Sequence, residues 1–291
     1  MTVSNDVVSF AIAGVRFNVS GFPSQTHFES LYQPFLTNLE NCNLTCFLNM
    51  AGSDECLLSQ ASVAAPRWTF ELQPSGNCLI QRYTDDGQIL WQLNGLYDFQ
   101  HATVIWHPKL FMTTYPNPAA SMSTALGFLL LGMRLRNHGG IMLHGASAEL
   151  DGCGIICSGL SGCGKSTISR LLHAAGATVL SDERSVIRQE TATTFAVHGT
   201  PWPSSAGFAA NKRAPLKRVY FLTHGTTDSL TPLSAAEAVR YLIPVSMIPW
   251  QAPELLDPFL RTIDAIFANV PCALLKFRPT PDVVTMLRSD L

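Results

Sequence analysis

The sequence predicts a mixed α/β protein, in which a smaller, mostly antiparallel β domain precedes a C-terminal P-loop domain. Two observations predict this class. The stretch GIICSGLSGCGKSTISRLL, residues 154–172, has the pattern of a buried strand, a glycine-rich turn and the start of a helix. Before about residue 115, short alternating or aromatic-rich runs separated by Gly, Asn, Asp or Pro indicate strands. We therefore predict a β-rich domain over residues 1–118, with substrate recognition as its possible role, and the P-loop domain over residues 119–291.

Seven runs in the first domain are predicted to be strands: VRFNVSG (15–21), NLTCFLNM (43–50), RWTFELQ (67–73), CLIQRYT (78–84), QILWQLN (88–94), HATVIWH (101–107) and KLFMTTY (109–115). The turn TDDGQ, residues 84–88, favours a hairpin, and residues 21–41 are predicted to be helical rather than extended. No catalytic cluster occurs here. We interpret the aromatic residues as core or sheet packing, with a recognition surface as the alternative.

The elements of the second domain follow a linker, YPNPAAS at 115–121. We expect an apolar helix to about residue 137, then a strand over 141–150 that ends at the turn Asp151-Gly152. After the P-loop helix, which ends at Gly176, a strand leads to an acidic pair, and a Pro-, Gly- and Ser-rich loop follows. The remaining elements are predicted as two helical stretches, a last strand and a short terminal helix, at 233–248, 253–270, 273–279 and after 280.

Composition excludes several function classes. The 291 residues are 47% hydrophobic, enough for two cores, and the net charge of -2 with only 14% charged residues gives no basic face for nucleic acid. The apolar stretch 125–133 is about half as long as a bilayer-spanning helix, and the N-terminus lacks a basic secretory region. We therefore expect no membrane partner and a cytoplasmic location. The eight cysteines form no CxxC pair, which favours reduced, packed thiols over zinc or disulfides.

The glycine-rich loop predicts nucleotide binding for physical reasons. Glycines allow unusual backbone torsions that turn successive N–H groups toward a phosphate, and the start of the following helix adds a favourable field. Lys165 would reach the outer phosphates, and the hydroxyl of Ser166 would bind Mg²⁺. The predicted nucleotide-binding residues are Gly159, Ser161, Gly162, Cys163, Gly164, Lys165, Ser166 and Thr167.

An acidic pair, Asp182 and Glu183, ends the strand that follows the P-loop helix. A magnesium ion on a triphosphate needs oxygen ligands and an acceptor hydroxyl needs a base, so an acid at this position suits either need. In the following loop, Lys212 or Arg213 could bind phosphates or could simply face solvent. Transporter-type ATPases are excluded because LSAAEA, residues 233–238, is no substitute for their LSGGQ-like signature. A small-molecule kinase and a nucleotide-binding regulatory or scaffold protein without transfer activity both remain open.

Residues 143–187, from LHGASAELDG to LSDERSVI, resemble the catalytic core of HPr kinase/phosphorylase, whose nucleotide site is similar to that of phosphoenolpyruvate carboxykinase. The resemblance is closer to HPr-kinase-like proteins of modified-peptide cassettes, including lasso-peptide tailoring kinases and the ScmC type. It rests on His144 before the P-loop, the acidic pair after it, GTPW at 199–202, and APL at 214–216 leading into KRVYFL.

The resemblance implies an ATP-dependent kinase that transfers the terminal phosphoryl group to a serine hydroxyl of a peptide or protein. Carried over by position, Asp182 would be the base, Lys165 would contact the phosphates, and His144 would lie near the acid and the transferred phosphate. Mg²⁺ would be held by Ser166 and Asp182, with support from Glu183, which stands where the family usually has a second Asp. HPr itself is not the expected substrate, and a homo-oligomer is possible.

Overall fold

The computed structural model describes residues 7–21, 30–37, 44–52, 68–107, 109, 125–250 and 252–291. The chain divides into two compact units, Met1–Arg134 and Leu135–Leu291. The predicted boundary at residue 118 and the linker lie outside the described residues, and that boundary stays a prediction. Along the described parts of the chain, no helix combines the length and apolar character that crossing a bilayer requires.

The described residues of the first unit form a sheet of seven strands: β1 (Val8–Ile12), β2 (Val15–Ser20), β3 (Leu44–Gly52), β4 (Trp68–Leu72), β5 (Asn77–Tyr83), β6 (Ile89–Leu96) and β7 (His101–Trp106). Their order across the sheet is β1-β2-β3-β7-β6-β5-β4. Neighbouring strands are antiparallel except at β2–β3 and β3–β7, which pair in parallel. The mostly antiparallel sheet predicted from the alternating runs is therefore confirmed, with a parallel centre that alternation cannot indicate.

Strand alternation accounts for the core of this unit. Along β7, every second residue is buried, and on β6 the Trp91 side chain is fully buried, with its ring 5.2 Å from that of Trp68 on β4. The predicted hairpin turn is present, because the Thr84 N–H donates to Gln88 and Gly87 takes the left-handed φ of 82° that such a turn needs. Of the predicted 21–41 helix, the structure describes residues 21 and 30–37, with a 3₁₀ turn over Ser30–Phe35 and then a β-bridge from Leu36 to Phe10 instead of a continued helix. Residues 22–29 and 38–41, like the predicted strand at 109–115 apart from Lys109, lie outside the described residues.

The helix α1 (Ala125–Leu135) and the 3₁₀ turn Arg136–His138 lead into the second unit. Its strands are β8 (Gly140–Leu150), β9 (Cys153–Ser158), β10 (Thr178–Ser181), β11 (Arg184–Gln189), β12 (Phe195–His198), β13 (Arg213–His224), β14 (Ser229–Leu233) and β15 (Cys272–Phe277). Its helices are α2 (Lys165–Ala174), α3 (Ala235–Leu242), α4 (Leu256–Asn269) and α5 (Asp282–Asp290), with 3₁₀ turns at Ile243–Val245 and Pro253–Leu255. The predicted strands and helices after residue 125 are present in the predicted order, with two differences: two strands, β10 and β11, flank the acidic pair, and the strands β12 and β14 were not predicted.

The second sheet has the order β10-β8-β11-β12-β13-β15-β14, and β9 pairs with both β8 and β13. Alternate residues of its strands enter two separate hydrophobic clusters, one containing Leu143, Ile156 and Phe221 and the other Ala146, Cys157 and Tyr220. The first cluster includes buried residues of α3 and α4, whereas the second includes those of α2 and α5. The sheet therefore lies between two helical layers, as expected for a mixed α/β domain.

Candidate functional site

The glycine-rich loop connects the end of β9 to the start of α2, as the sequence predicts. Gly162 and Gly164 adopt left-handed φ angles of 84° and 105°, and a Cβ atom on Gly164 would lie 2.9 Å from the Phe277 ring. Both the torsion and the close approach therefore require glycine at 164. The first turn of α2 contains no acidic residue, and Gly164 provides no side-chain cap. The N–H groups of that turn are thus left without a side-chain partner and can receive an anion.

Lys165, the first residue of α2, is folded back onto the loop. Its Nζ donates to the carbonyl oxygens of Gly159 and Leu160, each at 2.9 Å, and its side chain is buried. The Sγ of Cys163 lies 3.9 Å from the same Nζ. Burial raises the pKa of Cys163 although the lysine charge opposes this, so Cys163 stays a neutral thiol. The Lys165 ammonium group is therefore bound to the loop carbonyl oxygens, while the residue itself lines the pocket that the loop borders.

Asp182 is fully buried beneath the loop that follows β12. Its Oδ1 accepts a hydrogen bond from the backbone N–H of Ser204 at 2.9 Å. Its Oδ2 accepts from the Ser204 hydroxyl at 2.8 Å and from the N–H groups of Ala206 and Gly207 at 2.9 and 3.2 Å. The carboxylate predicted to be the base is therefore bound to the residues 204–207 in this structure.

Hydroxyl groups connect Asp182 to the predicted magnesium ligand Ser166. The Oγ atoms of Ser166 and Ser204 lie 3.0 Å apart, and the Ser205 hydroxyl donates to Ser166 Oγ at 3.2 Å. Since Ser204 gives its one hydroxyl proton to Asp182, Ser166 is the donor to Ser204. The order of donation is therefore Ser205 to Ser166 to Ser204 to Asp182. Arg170, one turn after Ser166 on α2, donates to the Ser205 carbonyl oxygen at 3.1 Å.

Glu183 has different surroundings from its neighbour. His144 Nε2 lies 3.3 Å from its Oε1, and an Arg184 guanidinium nitrogen lies 3.5 Å from the same atom. The hydrogen bond from His144 lowers the pKa of Glu183, aided by the nearby positive charges and opposed by partial burial. Glu183 is thus held as a carboxylate, and the structure brings it together with the His144 side chain, which sits on the middle of β8 opposite Arg184 of β11.

These groups border a pocket of about 530 Å³ in the second unit. It is lined by His144, Ser161, Gly162, Gly164, Lys165, Ser166, Thr167, Arg170, Glu183, Ser204 and Ser205. Of the predicted site residues, Gly159, Cys163 and Asp182 lie behind this lining. A larger cavity of about 720 Å³ in the first unit is lined mainly by asparagine, small and apolar residues, and its lining among the described residues includes no acid, lysine or arginine. We place the functional site at the smaller pocket because the charged and hydroxyl groups converge there.

The oxygen atoms in and behind the pocket lining fit a magnesium ion in type. Ser166 and Glu183 line the pocket, and the Asp182 carboxylate lies behind them, bound to residues 204–207. All three offer hard oxygen ligands, and magnesium usually takes only one or two carboxylates from a protein. Within the described ranges, no group of three or more His, Cys, Asp or Glu side chains could hold a metal by itself. Two carboxylates and a hydroxyl suit a hard cation that also takes phosphate oxygens as ligands.

Three residues of the pocket escaped the sequence analysis. Arg170 is four residues after Ser166, which places both on one face of α2, and that spacing was a usable signal. Ser204 and Ser205 lie in a loop whose path no local pattern reveals. Of the two cations suggested in that loop, Arg213 instead pairs with Glu190, and neither Lys212 nor Arg213 lines the pocket.

Comparison with known proteins identifies the family. Residues 119–276, more than half of the chain, match the family described as "SynChlorMet cassette protein ScmC". The chain belongs to the ScmC family. No curated protein matches this ScmC protein. A solved structure of the Hpr(Ser) kinase/phosphatase from Coxiella burnetii is similar over 51% of this chain and 95% of its own, with 12% identity and a TM-score of 0.32. A TM-score of this size does not establish a shared fold.

Proposed function

We propose that this ScmC protein is an ATP-dependent kinase that phosphorylates a serine hydroxyl of a peptide or protein in its cassette-associated pathway. One observation carries the proposal. A serine hydroxyl, that of Ser204, lies 2.8 Å from Asp182 and 3.0 Å from Ser166, at the edge of a pocket bordered by a glycine-rich loop. A general base must reach its acceptor hydroxyl at such a distance, so the acid can hold a serine in the position that transfer requires.

The same residues support phosphate binding. The uncapped first turn of α2 and the loop N–H groups attract the phosphates, and Lys165 needs only to leave the carbonyls of Gly159 and Leu160 to contact them. Arg170 adds a second cation on the pocket wall. Magnesium, held by Ser166, Asp182 and Glu183, would neutralise charge on the transferring group.

Asp182 is proposed as the base that removes the acceptor proton. Burial keeps it away from bulk water, and a substrate serine that replaces Ser204 would inherit the hydrogen bond to Oδ2. His144 is proposed to orient Glu183, because the two side chains are paired at 3.3 Å. A peptide acceptor fits this arrangement because the hydroxyl that already occupies the position belongs to a peptide chain.

The test uses candidate precursor peptides encoded beside the gene, incubated with the protein, ATP and Mg²⁺. We expect one phosphoryl group on the peptide, mapped to a serine by mass spectrometry. Asp182→Asn should keep nucleotide binding, measured by titration calorimetry, and lose transfer by at least about 100-fold. Asp257→Asn is the matched control, because Asp257 is exposed and pairs only at the surface with Arg261. Transfer by Asp182→Asn at the parental rate would contradict the assignment of the base.

The alternatives predict different results in this assay. Nucleotide hydrolysis stimulated by a small metabolite, with every peptide unmodified, would indicate a small-molecule kinase. Nucleotide bound without turnover on any acceptor would indicate a regulatory or scaffold protein.

A further inference from the structure

We propose that Ser204 is itself a phosphorylation site, modified by the kinase site of its own chain. This inference rests on the proposed function, because it uses the same nucleotide and the same acid. It assigns a covalent modification to a residue of the loop that follows β12, a loop that the catalytic proposal leaves without a role.

The contacts of Ser204 are those of a bound acceptor. Its hydroxyl proton points to Asp182 Oδ2 at 2.8 Å, and its oxygen accepts from Ser166 at 3.0 Å. Its backbone N–H also donates to Asp182, at 2.9 Å, so both the main chain and the side chain are fixed. The hydroxyl borders the 530 Å³ pocket directly, beside the start of α2. A reacting group held in this way is already oriented for transfer.

Ser205 is the obvious competitor, and its contacts argue against it. Its hydroxyl donates to Ser166, and its carbonyl oxygen accepts from Arg170. No contact joins its side chain to Asp182 among the described hydrogen bonds, so a base is within reach of Ser204 alone of this pair. Ser205 is also exposed, which leaves its hydroxyl free to turn toward water.

The chemical step balances with one co-reactant, a nucleoside triphosphate accompanied by a divalent cation. The bond between the terminal phosphorus and its bridging oxygen breaks, and a new bond forms between that phosphorus and Ser204 Oγ. The hydroxyl proton passes to the Asp182 carboxylate, and the nucleoside diphosphate leaves with the bridging oxygen. No oxidant or reductant takes part.

Phosphorylation would change the contacts of the loop. A phosphoserine carries close to two negative charges, and at position 204 these would face the buried Asp182 carboxylate. Repulsion between them would release residues 204–207 from Asp182, which leaves the acid available to a second hydroxyl. The modification therefore converts an occupied site into one that an external serine can enter.

The experiment incubates the full-length protein with ATP and Mg²⁺ in the absence of peptide, and maps phosphate on the chain by mass spectrometry. We expect one phosphoryl group per chain, on Ser204, with a first-order rate constant that stays the same over a tenfold range of protein concentration. Phosphate on another residue, or a rate proportional to protein concentration, would contradict transfer within one chain.

Substitutions at Ser204 test whether this residue carries the phosphate or whether a change in the loop merely affects the reaction. Ser204→Ala should abolish the modification, and Ser204→Thr should retain it at the same position as phosphothreonine, because a hydroxyl remains beside Asp182. Ser289 is an exposed serine on α5, and Ser289→Ala is the control. This variant should be phosphorylated at Ser204 to the same extent as the parent. If Ser204→Ala is still phosphorylated to the parental extent, the proposal is wrong.

A parallel reaction with peptide added distinguishes this inference from the proposed function. Peptide phosphorylated while Ser204 stays unmodified would overturn the inference alone. Ser204 modified while no peptide is phosphorylated would support the inference and overturn the peptide acceptor. If nucleotide binds and neither serine is phosphorylated, both are overturned.

Discussion

At the scale of single residues, the two adjacent acids of the site have opposite environments. Asp182 is buried and bound by the loop above it, whereas Glu183 borders the pocket and pairs with His144. The pair occupies the bend between β10, which ends at Ser181, and β11, which begins at Arg184, and its two side chains enter different surroundings. The two carboxylates therefore make different contacts: Asp182 accepts a hydrogen bond from the Ser204 hydroxyl, and Glu183 lines the pocket beside His144.

The lowered pKa of Glu183 gives a prediction about stability and pH. A carboxyl whose pKa is lower in the folded protein contributes stability above its ordinary pKa and loses that contribution as pH falls through the lowered value. Glu183→Gln should therefore unfold more easily than the parent in urea at about pH 7, and the difference should be smaller at about pH 4, below the ordinary carboxyl pKa.

Glu71→Gln is the control, because Glu71 is an exposed carboxyl on β4 of the first unit. It should differ little from the parent at both pH values. A deficit of Glu183→Gln that persists undiminished in acid would show that lost packing, rather than charge, is the cause.

Some of these residue positions could be predicted from the sequence, and others could not. Lys165 and Ser166 follow from the loop spacing, because a fixed number of residues links the strand to the helix that presents them. The burial of Asp182 depends on contacts with residues 204–207, which are more than twenty positions away in the chain. Such a contact leaves no periodic trace, so the sequence analysis could place an acid beside the loop without revealing what covers it.

At the scale of elements, the loop between β12 and β13 is tied down at both of its ends. The Gly199 N–H donates to the Lys212 carbonyl oxygen at 3.0 Å, and the Ala210 N–H donates to the Leu180 carbonyl oxygen at 2.9 Å. The Thr200 hydroxyl donates to the Arg184 carbonyl oxygen at 2.6 Å. These bonds fix the loop to the strands on either side of the acidic pair, which is why residues 204–207 reach Asp182.

Gly199 is the position where this arrangement tolerates no side chain. A Cβ atom there would lie 2.0 Å from the Ala210 carbonyl oxygen and 2.5 Å from that of Leu180. Gly199→Ala should therefore cost about 2 to 3 kcal/mol and expose the amides of residues 199–212, because backbone must move to relieve the overlap. Hydrogen exchange of that segment, together with urea unfolding, measures both effects.

Gly207→Ala in the same loop is the matched comparison. Its Cβ would meet no atom within 4 Å, so only the left-handed φ of 81° opposes the change. We expect a smaller loss, about 1 kcal/mol, without opening of the loop ends. Equal effects of the two substitutions would contradict the steric explanation for Gly199.

Strands and helices were predicted correctly where the spacing of apolar residues along the chain determines them, but not where pairing with a distant strand does. The predicted strand from 177 onward stops at Ser181 and a second strand, β11, begins at Arg184, because β10 and β11 both pair with β8 on different stretches of it. No local pattern shows that one long strand serves two partners. The parallel pairing of β13 with both β9 and β15 is equally non-local.

At the scale of the whole molecule, each unit has its own sheet and buried residues, and the second has a core on each face of its sheet. The α/β class was predictable because helical and alternating periods succeed one another along the chain. Which helix covers which face was not, since that depends on the path of the connections. The last helix, α5, shares a cluster with α2, the helix that follows the glycine-rich loop, although more than a hundred residues separate them.

Because α5 and α2 share this cluster, we predict that α5 stabilises α2, whose first turn borders the pocket. Leu287 of α5 is fully buried in the cluster that contains Ile168 and Leu172 of α2. Leu287→Ala should cost about 2 to 5 kcal/mol, since it leaves a cavity beneath the helix whose first turn borders the pocket. Urea unfolding measures the cost, and hydrogen exchange should show lower protection of residues 165–174 than in the parent. Ser289→Ala, exposed on the same helix, should leave both measurements unchanged. If Leu287→Ala lowers stability while exchange in α2 is unaltered, the two helices do not form one cooperative layer, and the support must come from the strands between them.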